Sequence, residues 1–63
     1  MEMDKGDIIE LIYIDKSNHL TQRVIKVLDA TDTYVKGYCY SRKEVRCFQR
    51  PNILGTKIIK HGA

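Results

Sequence analysis

YVKGYCYSRKEVRCFQRPNI, the stretch from Tyr34 to Ile53, contains the clearest secondary-structure signal in the chain. Its opening residues, YVKGYCY, alternate small apolar side chains with tyrosines and a lysine, which is typical of a β-strand with two different faces. SRKE is a short connection, and VRCFQ predicts a second strand that folds back beside the first. Pro51 then interrupts the pattern, because proline has no amide hydrogen to donate to a ladder. The stretch predicts an antiparallel hairpin in which Val35, Cys39 and Phe48 are buried, with Ile12 and Ile25 among their neighbours.

Three further segments predict strands on either side of this hairpin: Ile8–Ile14, Leu20–Leu28 and Ile53–Ile59, the last with Gly55 allowing a bend. The polar segments DKSNH and DATDT separate them as turns. No segment shows a helical stripe of useful length. The spacing of about ten residues between strands predicts an all-β fold, a small barrel of about five antiparallel strands.

The length and the cysteines limit what kind of protein this is. Residues 1–63 predict a single domain with a folded core at about 7–59. A chain of this size is near the limit at which one core is only marginally stable, so a homo-oligomer is possible. Cys39 and Cys47 form no CxxC pair and lie far from His19 and His61, which argues against a metal site. We expect reduced cysteines that pack as small core residues, with a disulfide as the minority alternative, and no cofactor.

The amino terminus and the charge distribution indicate the compartment and the partner. MEMDKGD is acidic where a signal peptide would be basic and then apolar, and no apolar run could span a membrane, so a cytoplasmic protein is expected. Residues 1–15 hold five acids and one lysine, whereas residues 33–63 hold seven cations and one glutamate. This asymmetry fits an anionic partner or head-to-tail self-association, although an unevenly charged solvated surface also explains it.

The hairpin also suggests a binding site. Alternation places small side chains on one face of its first strand and four polar-tipped side chains on the other: Tyr34, Lys36, Tyr38 and Tyr40. Tyrosine rings can stack on bases, and arginine forks at Arg42 and Arg46 can hold phosphate. The alternative is that the tyrosines pack against one another or a partner subunit, and that the arginine stems cover apolar surface.

The order of these residues resembles the WYL domain family. GYC, then RKEVRCF from Arg42 to Phe48, and RPNI ending at Ile53 follow the family's third and fourth strands, and IIELIYID and TQRVIKVL look like its first two. Of the name-giving triplet only Tyr34 stands, with Thr33 in place of the tryptophan and a valine in place of the leucine. Asn52 stands where the family has an arginine.

The resemblance implies an Sm-like (SH3-like) β-barrel that acts as a regulatory ligand sensor for a nucleotide or single-stranded nucleic acid. The candidate ligand-binding residues are then Arg46 and Arg42 for phosphate, Tyr38 and Tyr34 for stacking, and Arg23 as an outer cation. We expect the Arg46 guanidinium to point at a groove that it shares with Tyr38 and Arg42. The alternative is a protein-interaction or self-assembly module with no nucleic-acid ligand. No nucleophile–base pair or carboxylate pair converges in the sequence, so we do not expect an enzyme.

Overall fold

One antiparallel sheet makes up almost all of the computed structural model, which describes residues 3–62. Its strands follow the order β4-β3-β2-β1-β5. A single-turn 3₁₀ helix, Arg50–Asn52, lies between the last two strands and contains Pro51. The strands are β1 Ile8–Ile14, β2 Leu20–Ala30, β3 Tyr34–Cys39, β4 Glu44–Gln49 and β5 Ile53–Lys60.

The all-β class and the five antiparallel strands expected from the sequence are confirmed, including the pairing of β3 with β4 across a short turn. The sheet is not closed into a barrel, because β4 and β5 lie at its two edges. Neighbouring strands pair in register except at three irregularities, two between β1 and β5 and one between Val27 and Asp29 of β2. Such bulges bend and twist a strand, which curls the sheet around its core.

The sheet buries one face, which we call the core face. It carries the buried apolar side chains Ile9, Leu11, Tyr13, Ile25, Val27, Val35, Cys39 and Phe48. The rings of Tyr13 and Phe48 meet edge to face with their centroids 4.9 Å apart, although β1 and β4 are not neighbours in the sheet. This contact shows how far the sheet curls. The expectation that Ile12 belongs to the core is wrong, because strand alternation places it on the other face, where it is 40% exposed.

Asp7 ties the two ends of the chain together. Its side chain is 4% exposed and accepts hydrogen bonds from the backbone N–H of Gly62, at 2.8 Å, and of Asp4, at 3.0 Å. These bonds lower the pKa of Asp7, the bond from Gly62 most, and they outweigh burial, which raises it; the nearby His61 lowers it further. Gly6 lies so close to Gly62 that a Cβ on Gly62 would come within 2.5 Å of the Gly6 carbonyl carbon. The closing segment therefore packs directly on the opening one.

The 3₁₀ turn is anchored to the connection between β2 and β3. The Arg50 side chain donates from Nε to the carbonyl oxygen of Thr31 at 2.5 Å, and its backbone N–H donates to Thr33 at 2.9 Å. Arg50 therefore fixes the point at which the chain leaves the edge strand β4 and crosses to β5 at the other edge.

Candidate ligand-binding surfaces

The side of the sheet opposite the core face carries a row of aromatic and basic side chains, which we call the tyrosine–lysine face. On β3 the alternation is as expected, with Val35, Gly37 and Cys39 buried and their neighbours turned outward. Lys26 of β2 lies directly opposite Tyr38 and so joins them. The tyrosine–lysine face consists of Lys26, Tyr34, Lys36, Tyr38 and Tyr40.

The tyrosines of this face are arranged as a pair and a single ring. Tyr38 and Tyr40 meet edge to face with centroids 5.3 Å apart, which is a favourable geometry for two aromatic rings. Tyr40 is 44% exposed, while Tyr38 and Tyr34 are half-buried. Val45 lies across from Tyr38 on β4 and is 50% exposed. The face thus offers ring surface and apolar surface to solvent at the same place.

The charge of the face is mainly positive. Lys36 and Lys26 are exposed on it, and the exposed Arg42 lies in the turn that follows Tyr40. One carboxylate, that of Asp29, lies opposite Lys36 across the β2–β3 ladder and accepts a hydrogen bond from the backbone N–H of Ala30 at 3.0 Å. A second carboxylate, that of Glu10, lines a shallow depression together with Tyr40. The three cations Lys26, Lys36 and Arg42 still outnumber these two acids, and Asp29 is a natural position at which to test the effect of charge.

Arg46 does not share a groove with Tyr38, contrary to the arrangement expected from the sequence. Arg46 pairs with Gly37, whereas Tyr38 pairs with Val45, so the two side chains point to opposite sides of the sheet. The guanidinium carbon of Arg46 lies 6.0 Å from the centroid of the Phe48 ring on the core side. Tyr34 and Tyr38 are brought together on one face, but Arg46 is separated from them.

Arg46 instead lines a cleft of about 380 Å³ between β4 and the β1–β2 turn, which we call the Arg46 cleft. Its wall also contains Tyr13, Phe48 and Lys16. The remaining residues of the wall are Ile14, Asp15, Ser17, Cys47, Gln49 and Asn52. A cleft lined by aromatic rings with a few convergent polar groups is the usual form of a small-ligand site.

Asp15 places a carboxylate in this wall, but its oxygens are already engaged. Oδ1 accepts hydrogen bonds from the backbone N–H groups of Ser17 and His19, both at 2.9 Å. The bond from His19 contributes most to lowering the pKa of Asp15, and it is opposed by burial. The turn that this carboxylate organises includes Asn18 in a left-handed conformation, with φ of 64°. Asp15 therefore shapes the cleft by holding its turn.

Arg23 is not an outer cation, because it lies opposite Leu11 on the core side of β2. Its Nη1 donates to the Gln22 carbonyl oxygen at 2.9 Å, and its Nε is buried without a hydrogen-bond partner. The pKa of the Cys39 thiol is lowered from its ordinary value. Burial is the largest single influence and raises this pKa, but the hydrogen bonds from Ser41 and from the backbone of Arg42, together with the charge of Arg23, outweigh it. The charge of Arg23 is the smallest of the influences on this pKa.

The two cysteines have different environments. Both are free; Cys39 is fully buried, as expected, but Cys47 is exposed, so the prediction that both are core residues is wrong for Cys47. Strand alternation puts Cys47 beside Lys36, which lies directly opposite it on β3. Residues 3–62 contain no group of His, Cys, Asp and Glu side chains that could hold a metal ion.

No family model, curated protein or solved structure matches this chain. The resemblance to the WYL family therefore stays a prediction. Within the described part of the chain, no helix is long and apolar enough to cross a membrane.

Proposed function

We propose that this chain is a regulatory module of WYL type with an Sm-like (SH3-like) architecture, and that it binds single-stranded nucleic acid on its tyrosine–lysine face. The observation that carries the proposal is the presence of three tyrosines and two lysines on one side of the sheet, on β2, on β3 and at Tyr40 just after β3. Aromatic rings stack on bases of any sequence, and cations beside them neutralise the phosphates between those bases.

The shape of the face favours a single strand over a duplex. Tyr38 and Tyr40 present ring surface on an open sheet, and a base can stack there only if it is unpaired and accessible. The row of aromatic and basic side chains supplies stacking and phosphate contacts but no dense set of base-reading groups, which predicts weak sequence preference.

The Sm-like part of the proposal is supported by the strand order. β4 and β5 follow one another in the chain, separated only by the 3₁₀ turn, yet lie at opposite edges of the sheet. The contact between Tyr13 and Phe48 already brings β1 close to β4 over the core. Further curling in the same direction would bring the edges together as in a small barrel.

A titration with a labelled single-stranded oligonucleotide at two salt concentrations tests the proposal. Binding should weaken steeply as salt rises, with a slope set by the number of phosphates that the face neutralises. Tyr38→Ala should weaken binding by roughly tenfold, since stacking on one base contributes about 1–3 kcal/mol. A melting curve must show the variant folded, because the change also removes the contact with Tyr40.

Charge variants locate the site on the sheet. Lys36→Gln should weaken binding and lower the salt slope, because one phosphate contact is lost. Lys57→Gln is the matched control, because Lys57 belongs to β5 at the far edge of the sheet, where it lies opposite Glu10 of β1. This substitution should change binding little. Asp29→Asn removes the carboxylate opposite Lys36 and should tighten binding. Equal effects of the two lysine variants would refute this location.

A second candidate function, protein interaction or self-assembly, is favoured by the exposed apolar side chains near the same face. Val24 is 36% exposed, Leu28 37% and Val45 50%. Such an interface would persist as salt rises, whereas binding to phosphates would not. Sedimentation of the protein alone at high and low salt distinguishes the two functions, because only self-association gives a larger species without nucleic acid.

A further inference from the structure

We propose that the free edge of β4 binds an extended acidic segment of a partner protein, which adds to the sheet as a sixth strand. Strand addition of this kind uses backbone hydrogen bonds for affinity and the neighbouring side chains for specificity. The site is the edge of the sheet and not its tyrosine–lysine face, so the proposal does not depend on nucleic-acid binding.

One hydrogen bond just beyond the β3–β4 ladder fixes the direction of the β4 backbone groups. The N–H of Arg50 donates to the carbonyl oxygen of Thr33 at 2.9 Å, and these two residues form the next pair after Tyr34 and Gln49. Bonded and non-bonded pairs alternate along an antiparallel ladder. Counted back from Arg50, every second residue of β4 therefore turns its N–H and C=O toward β3: Phe48, Arg46 and Glu44.

Val45 and Cys47 turn their backbone groups the other way, toward the free edge. Among residues 3–62, no strand other than β3 lies beside β4, and neither Val45 nor Cys47 takes part in a turn or loop hydrogen bond between backbone groups. Unpaired N–H and C=O groups along a strand edge are a template for pairing with another chain.

β5, at the other edge of the sheet, is a poorer template. Its register with β1 is broken between Ile8 and Ile9 and again between Ile12 and Tyr13. Bulges of this kind twist an edge strand away from a further neighbour. β4 pairs with β3 without any irregularity along its whole length, so the regular edge is that of β4.

The Arg46 cleft provides room for an added strand. Its wall includes Arg46 and Phe48 from the core side of β4, and Cys47 and Gln49 from the opposite side, so the cleft runs along the edge of the strand and not over one face. The part of β4 from Val45 to Gln49 is about 13 Å long, at about 3.3 Å per residue, which matches an extended segment of about five residues.

The charges around this edge favour an acidic segment. Lys16 and Arg46 belong to the cleft wall, and the exposed Lys43 lies just before β4. Two acids oppose these cations: Glu44, and Asp15, whose Oδ1 already accepts two backbone hydrogen bonds within its own turn. The surroundings are therefore positive on balance, and complementary charge on the partner selects acidic segments over basic ones.

Calorimetric titration of the intact chain with a capped five-residue peptide of alternating glutamate and valine tests the inference. The same peptide with lysine in place of glutamate should bind at least roughly tenfold more weakly. Cys47→Pro removes an outward N–H and should weaken binding of the acidic peptide by roughly tenfold or more, while proline is tolerated at such an edge position. Cys47→Ser keeps the N–H and is the matched control, which should bind like the parent. A melting curve shows whether both variants are folded.

Amide hydrogen exchange of the parent protein does not depend on any variant. In the free protein the amides of Val45 and Cys47 should exchange fast and those of Arg46 and Phe48 slowly, and the acidic peptide should protect Val45 and Cys47. Protection of Val45 and Cys47 already in the free protein would mean that a second copy or another part of the chain covers the edge, which overturns the proposal.

The proposal is also overturned if the acidic peptide does not bind, if the lysine peptide binds equally well, or if a folded Cys47→Pro variant binds like the parent. Binding without protection of Val45 and Cys47 would overturn it too. Lys26→Gln, on the tyrosine–lysine face, should weaken oligonucleotide binding and leave peptide binding unchanged. Failure of the edge site is therefore distinguishable from failure of the proposed function.

Discussion

Gly37 lies at the centre of the core face of β3, between Val27 on β2 and Arg46 on β4. A Cβ at this position would overlap the Cδ1 atom of Ile25 and come within 3.1 Å of its Cβ and Cγ1 atoms. Ile25 is fully buried, so its side chain cannot turn aside without disturbing its neighbours. We therefore predict that Gly37→Ala overpacks the core and destabilises the protein by about 1–3 kcal/mol.

Gly55→Ala is the matched control for this substitution. A Cβ on Gly55 would meet no atom within 4 Å, and its backbone is not in the left-handed region. This variant should be neutral or more stable by up to about 1 kcal/mol, because alanine restricts the unfolded chain. Since 1 kcal/mol shifts the Tm of so small a domain by roughly 4–8 °C, thermal unfolding followed by circular dichroism should separate the two variants clearly.

The double variant Gly37→Ala/Ile25→Val identifies the cause of the destabilisation. Valine lacks Cδ1, the atom that the new methyl group would meet most closely. Ile25→Val alone should cost about 0.5–1.5 kcal/mol, but together the two changes should cost less than their sum by about 1 kcal/mol. Strict additivity, or a Gly37→Ala variant as stable as Gly55→Ala, would refute the packing described for this part of the core.

Three further predictions follow from polar contacts and thiol exposure. The pKa of Asp7 is lowered in the folded state, so the ionised Asp7 stabilises the fold above its ordinary pKa of 3.8, and this stabilisation is lost as the pH falls through the folded-state pKa. The Asp7→Asn variant should therefore be less stable than the parent at neutral pH, and its stability should depend less on pH in the acid range. Acid unfolding of both proteins measures this difference. Arg50→Gln removes the bond to Thr31 and should cost about 1–2 kcal/mol in urea unfolding, with no loss expected if that contact is absent in solution. Alkylation of the folded protein should modify Cys47 rapidly and Cys39 only on unfolding, and mass spectrometry that finds both modified at one rate would contradict the burial of Cys39.

The strands were predictable because each has a strong local signal. Alternation in YVKGYC, the turn residues of DKSNH and the proline of RPN all act over a few residues, and the structure places strand ends within a residue or two of those expected. Burial of Val35, Cys39 and Phe48 follows from the same alternation. The open edges of the sheet depend instead on how far the whole sheet curls, which no local pattern specifies.

The candidate site was predicted only in part, and the error has an identifiable source. Arg46 and Phe48 are two residues apart on one strand, so they must share a face. Since Phe48 was expected to be buried, the sequence already contained the information that Arg46 points to the core side, away from Tyr38. The cleft itself could not be foreseen, because it needs the β1–β2 turn and β4 to meet across the curled sheet. Lys26 joins the tyrosines only through the β2–β3 register, which a single sequence does not give.

Titrating the protein with a single-stranded oligonucleotide while recording the aromatic region of its NMR spectrum tests the central claim most directly. The chain has four tyrosines, and three of them, Tyr34, Tyr38 and Tyr40, lie on the tyrosine–lysine face, while Tyr13 packs on Phe48 on the core side. Bases that stack on the proposed face should shift the ring resonances of these three tyrosines and leave Tyr13 nearly unchanged. If the oligonucleotide binds and only Tyr13 shifts, or if no tyrosine responds at saturating concentration, the proposed face does not bind nucleic acid.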